Sequence, residues 1–121
     1  MDRRIEFRGK DKEKGEWVYG YLTQSESGNY YISHKLDNFV WIDETTIGEY
    51  TGLKDKNGTK IFEGDKVMFD YEWTKSSEVG VITWNKENSS FQIKGHIPSS
   101  SMKHLDRMKV IGNIYDESDV K

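Results

Sequence analysis

Lys60-Ile61-Phe62-Glu63-Gly64-Asp65-Lys66-Val67-Met68-Phe69-Asp70-Tyr71-Glu72-Trp73 is the stretch that decides the fold. Val67, Phe69, Tyr71 and Trp73 fall on alternate positions, the two-residue period of a strand with one buried face, and Glu63-Gly64-Asp65 ahead of them reads as a turn. Upstream, Asn57-Gly58 is a strong hairpin signal, read as a type I′ turn in which both residues take positive φ. Downstream, Val79 to Trp84 and Ser90 to Lys94, separated by the polar Asn85 to Ser89, make a second hairpin.

The same period extends to both ends of the chain. Ile5 to Arg8 and Trp17 to Leu22 read as strands, with Trp17, Tyr19 and Tyr21 on one face. Ser27-Gly28-Asn29 turns the chain into Tyr30 to His34. Phe39 to Ile42 is apolar on both faces, which predicts burial on both sides, and Thr46 to Leu53 is a further extended stretch. Ser99 to Ser101 after Pro98 predict a cap for one short helix carrying Met102 and Leu105. Lys109 to Tyr115 closes the fold, and residues 117–121 read as a tail.

Composition agrees with this pattern. The 121 residues include 10 Ile, 7 Val and 16 aromatics against 4 Leu and no Ala, and branching at Cβ and aromatic rings suit a pleated surface. Hydrophobic residues are only 34% of the chain, so the core is thin. The predicted class is mostly β, with at most one short helix. It is a small, partly open SH3-like barrel in the C-terminal half, packed with N-terminal strands. The expected organisation is a single domain over 1–121, with possible lobes at 1–46 and 47–116.

Several function classes drop out. No Cys is present, which removes disulfides, thiolate zinc sites and thiol nucleophiles and suits a reducing cytoplasm. The longest apolar run, Phe39 to Ile42, is far short of the roughly 18 residues a spanning helix needs, and no apolar stretch follows Asp2 as a signal peptide would require. His34, His96 and His104 have no ligand spacing, and Asp43, Glu44, Glu49, Asp55, Glu63 and Asp65 have none that selects a catalytic pair. No nucleophile elbow or phosphate-cradling loop occurs. The expectation is a protein with no catalytic residues, cofactor or metal.

Two binding readings remain. Surplus aromatics, of which Tyr30, Tyr31, Trp73 and Trp84 are the foremost, are anchors for a protein partner or a second copy of the chain. In the alternative, basic stretches 3–14 and 94–109, each carrying a net +3 on a chain of formal charge −3, contact nucleic acid through Arg3, Arg4, Arg8, Lys10, Lys103 and Arg107.

Thr46-Ile47-Gly48-Glu49-Tyr50-Thr51-Gly52-Leu53-Lys54-Asp55-Lys56-Asn57-Gly58, continuing through Lys60-Ile61-Phe62-Glu63-Gly64-Asp65-Lys66-Val67, resembles the central signature of the YopX family of phage and prophage proteins. Ile5-Glu6-Phe7-Arg8-Gly9-Lys10 with Gly15 to Leu22, and Val110-Ile111-Gly112-Asn113-Ile114-Tyr115, resemble its flanking segments. The family often has Gln in place of Glu49 and an acidic residue in place of Thr45. The resemblance implies a β-rich fold, a phage or prophage origin in a bacterial cytoplasm, and no established biochemical activity. Within the signature, Gly48, Gly52, Gly58 and Gly64 supply backbone freedom or close approach, Tyr50 an anchor, and Asp55, Asn57 and Asp65 turn hydrogen bonds.

Overall fold

A computed structural model describes residues 5–34, 38–71, 76–95, 100–101 and 108–116. Among them are ten strands and no helix: β1 (Phe7–Asp11), β2 (Trp17–Gln24), β3 (Tyr30–Ser33), β4 (Val40–Lys54), β5 (Lys60–Phe62), β6 (Asp65–Tyr71), β7 (Ser76–Asn85), β8 (Ser90–Gly95), β9 (Ser100–Ser101) and β10 (Met108–Asn113). All observed pairings are antiparallel. Ser100–Ser101 pair with β8 rather than capping a helix, while Met102 and Leu105 lie outside the described residues. The tail at 117–121 lies outside them too.

The chain divides into two compact units, Met1–Gly52 and Leu53–Lys121. In the first, β2 pairs with β1 and β3, β3 with β4, and β4 back with β1, so four strands close into a ring. Closure rests on a register shift in the β1–β4 pairing. Arg8 lies opposite Gly48 and Lys10 opposite Asp43, which leaves an excursion of β4 between them. Thr46 pins that excursion: its Oγ1 donates to the Asp43 carbonyl at 2.7 Å and accepts from the Lys10 amide at 2.8 Å. Isoleucines 32 and 42 fill the interior, and Gly9 admits them, since a Cβ there would collide with Ile42 and touch Ile47 and Ile32.

Phe39 to Ile42 does not lie buried on both sides. Ile42 faces the interior, whereas Phe39 is 50% and Trp41 40% exposed, because a strand of a small ring has only one inner face. Nor does the strand stop there: Val40–Lys54 is one element of 15 residues.

In the second unit the strands run β10-β6-β7-β8-β9. A meander folds back so that its last strand flanks its first, the order of a small, partly open barrel. The alternation on β6 is realised, with Val67 and Phe69 buried in a core shared with Ile61, Ile82, Ile93 and Met108, against which Phe91 and Val110 pack.

Candidate functional site

The signature residues 46–67 are where the sequence is most distinctive, and the structure gives their side chains local work. Asp55 opens the turn between β4 and β5 and is 7% exposed. Its Oδ1 accepts from the amides of Asn57 and Thr59 at 2.8 and 2.9 Å, and its Oδ2 from the amide of Val110 at 2.8 Å. The carboxylate therefore ties a turn to a strand 55 residues away. Burial pushes its pKa up, but the Val110, Thr59 and Asn57 amides and the nearby Lys56 outweigh that, and the group titrates below the ordinary carboxylate value.

The turn is not type I′. Gly58 has φ +85°, but Asn57 is not among the positive-φ residues. Gly58 N donates to Asp55 O at 3.0 Å and Asp55 N to Thr59 O at 2.8 Å, a three-residue loop closed by a left-handed glycine. The Asp55 carboxylate, by holding the Asn57 and Thr59 amides, selects this geometry over the two-residue alternative.

Buried Asp65 acts similarly, its Oδ2 accepting from the Phe62 amide at 2.8 Å. Gly64 donates to Ile82 O at 2.9 Å and accepts from Ile114 N at 3.0 Å. Tyr50 is buried and its amide donates to Glu6 O at 2.8 Å; Gly48 is buried opposite Arg8, and Gly52 is exposed at φ +88°.

The recognition candidates fall on two surfaces. On the outside of the ring, Tyr31 lies opposite Trp41 on β4 and Thr23 on β2, and Tyr21 opposite Ser33. Tyr21 is 59% exposed and Tyr31 half-buried, whereas Tyr30, adjacent to Tyr31, falls on the other side of β3, opposite Ile42 of the ring interior. Cations interleave with these rings. Lys12 Nζ stands 5.1 Å from the Trp41 ring centre, and Lys10 Nζ and the Arg8 guanidinium stand 5.3 and 4.6 Å from that of Trp17. Arg8, taken from sequence as an exposed contact, is only 5% exposed, because strand alternation brings it beside the Trp17 ring that covers it.

Asp43, opposite Lys10, is held charged below the ordinary range, first by the Thr45 hydroxyl and amide and then by Lys12 and Lys10. The sequence reading missed Trp41 and Lys12 as a pair. Their contact depends on the Lys12 amide donating to Trp41 O at 2.9 Å across 29 residues, for which no local pattern exists.

The second surface is the β7–β8 hairpin of the C-terminal unit. Trp84 lies opposite Phe91, the rings meeting edge to face at 4.9 Å, and Trp84 is 45% exposed. By alternation it shares the side of buried Ile82, so the apolar side of β7 runs past the core into solvent. Arg3, Arg4, Trp73, His96, Lys103, His104 and Arg107 lie outside the described residues. The His34 Nδ1 is 3.2 Å from Tyr19 O. Among the described residues, no three His, Asp or Glu side chains converge as metal ligands, and no helix is long and apolar enough to cross a membrane.

Fold and surfaces thus define an all-β protein of two antiparallel sheets whose distinctive side chains either knit turns or stand exposed as aromatic rings. The chain belongs to the YopX family, whose model, described as YopX protein, matches residues 6–120. It is similar in fold to protein EF1440 from Enterococcus faecalis, known from a crystal structure. The TM-score is 0.56 at 22% identity, over 94% of this chain and 95% of that one. No curated protein matches the sequence.

Proposed function

We propose that this YopX-family protein is a phage- or prophage-encoded accessory protein, non-enzymatic, that works in the bacterial cytoplasm by binding a host or phage protein. Its C-terminal sheet is read as an SH3-like barrel on the order β10-β6-β7-β8-β9.

The observation that supports binding is Trp84. A tryptophan braced edge-on by Phe91, which itself packs on the core, loses little freedom when a partner covers it, and that is the anatomy of a binding anchor. On the opposite side of the hairpin the Asn85 side-chain amide donates to Gln92 Oε1 at 2.9 Å, which ties together the two strands that carry the anchor.

Tagged wild-type protein and Trp84→Ala are to be compared as baits in infected or induced cells, with sedimentation of the purified protein to detect self-association. The expected result is one partner, or a second copy, bound by the wild type and lost from Trp84→Ala, while the variant melts within about 5 °C of wild type. Identical capture by the two would refute Trp84 as the anchor.

A further inference from the structure

We infer that the outer face of the N-terminal ring binds single-stranded nucleic acid. This goes beyond the protein-binding reading and uses a different surface.

Ring closure decides what kind of partner this unit can take. Each of β1 to β4 has a paired neighbour on both sides, which leaves little open edge for an added strand, so the outer face is read through its side chains. Three features of those side chains suit an unpaired polynucleotide.

The first is a pair of facing rings, Tyr31 and Trp41, with Tyr21 close by. Thr23, Tyr31 and Trp41 lie directly opposite one another on β2, β3 and β4, with neighbouring strands about 4.8 Å apart, and Lys12 ends the row over Trp41. Tyr21 stands one pleat away on β2, about 7 Å along the strand. Flat rings at such intervals are platforms on which successive bases stack without regard to sequence.

The second is the placing of cations among the rings rather than at a rim. Lys12 stands over Trp41 and Lys10 over Trp17, while Arg8, also against Trp17, is buried and braces that ring. Cores of protein interfaces are depleted in lysine, whereas a phosphate chain needs positive charge beside each stacking platform. Trp41 remains 40% exposed with Lys12 over it, so its surface is open to a base.

The third is shape. Unpaired bases present their faces to a convex sheet, while a duplex hides them and offers a groove that such a sheet does not enter.

The face also carries an opposing charge, Asp43, opposite Lys10 and held ionised beside Lys10 and Lys12. It predicts modest affinity, and it supplies a diagnostic variant. Asp43→Asn keeps an oxygen for the Thr45 amide and hydroxyl while removing a negative charge from the path of the phosphates.

The experiment is fluorescence anisotropy with labelled dT15 and rU15 and a 15-base-pair duplex, using full-length protein, from about 20 to 200 mM salt. Wild type is expected to bind both single strands in the micromolar range at low salt and the duplex at least tenfold more weakly. Trp41→Ala should lose about tenfold or more. Lys12→Gln should lower the slope of log K against log salt by about 0.7, the value of one phosphate contact on a single strand. Asp43→Asn should tighten binding roughly threefold. Trp84→Ala should bind the oligonucleotides as wild type does, which separates this surface from the protein anchor.

No single-strand binding at 20 mM salt overturns the proposal. Equal affinity for the duplex, or Trp41→Ala and Lys12→Gln proteins that melt and bind as wild type, overturns it as well. A protein partner whose capture requires Trp41, with no oligonucleotide binding, reassigns the face to that protein.

Discussion

Replacing Asp55 by alanine measures how much of the C-terminal unit hangs on one carboxylate. The substitution removes the acceptor of three backbone amides, those of Asn57, Thr59 and Val110, at 2.8 to 2.9 Å. The Asn57 and Thr59 amides belong to exposed turn residues, so water takes the vacated place and each loses only the net value of a hydrogen bond, about 0.5–1.5 kcal/mol. The Val110 amide lies on half-buried β10, on the side that faces the turn, and an unsatisfied donor there costs about 1–3 kcal/mol. Together the loss is about 2–6 kcal/mol, centred near 4, a large share of the roughly 5–15 kcal/mol by which a small protein is stable. At the entropy of unfolding of a chain this size it lowers the melting temperature by roughly 10–20 °C. Urea unfolding at pH 7, followed by tryptophan fluorescence, gives the free energy, and a thermal scan by circular dichroism gives the shift. Asp55→Asn is the companion: one carbonyl oxygen keeps two of the amides while its NH2 turns towards the Val110 N–H, so it should cost about half as much. A loss below about 1 kcal/mol for Asp55→Ala would refute the reasoning, because even water at all three amides would leave a larger loss, so the carboxylate would contribute nothing there.

The same carboxylate sets an acid limb. Its folded pKa lies below the ordinary value, so its contribution is fully present above about pH 5 and is lost as pH falls through the folded pKa; urea midpoints for Asp55→Asn should therefore fall less steeply below pH 5 than those of wild type. Gly58→Val should cost about 1–2 kcal/mol through backbone strain alone, since φ is +85° and nothing lies within 4 Å of an added Cβ, and unchanged melting would contradict the turn. Gly9→Ala should cost about 1–3 kcal/mol by overpacking the ring against Ile42, and an unchanged urea midpoint would show that the interior has spare room.

The strands were legible because they alternate: Val67 and Phe69 occupy the core as their spacing predicts, and the β7–β8 hairpin joins the two runs read from sequence. What escaped the sequence reading is non-local. The β1–β4 pairing that closes the ring joins Phe7 to Glu49 and Asp11 to Ile42, and no local period encodes a partner that distant. Phe39 and Trp41 misled for a related reason, since apolarity on both faces records what a strand offers and not what covers it. Arg8 shows the converse, a charged residue read as surface that is buried against the diagonally placed Trp17 ring. Asn57-Gly58 located its turn correctly but not its type, which is decided by hydrogen bonds from a side chain two residues earlier.

That side chain belongs to a plan used repeatedly. Asp11 accepts from Glu13 and Lys14 amides with Gly15 at φ +74°, and Ser25 accepts from the Asn29 amide with Gly28 at φ +100°, as Asp55 does with Gly58. Each turn thus pairs a short acceptor at its first residue with a left-handed glycine near its end, both preset by sequence. A chain that fixes its hairpins this way needs only a thin interior, and its outward rings are released from structural duty. The consequence is measurable: Trp41→Ala and Trp84→Ala, which uncover no core, should each cost about 1 kcal/mol or less, against about 2–5 kcal/mol for Ile42→Ala in the ring interior. Urea unfolding of the three variants decides it. If the tryptophan variants were as damaging as Ile42→Ala, the rings would be part of the core, and their exposure would carry no argument about binding.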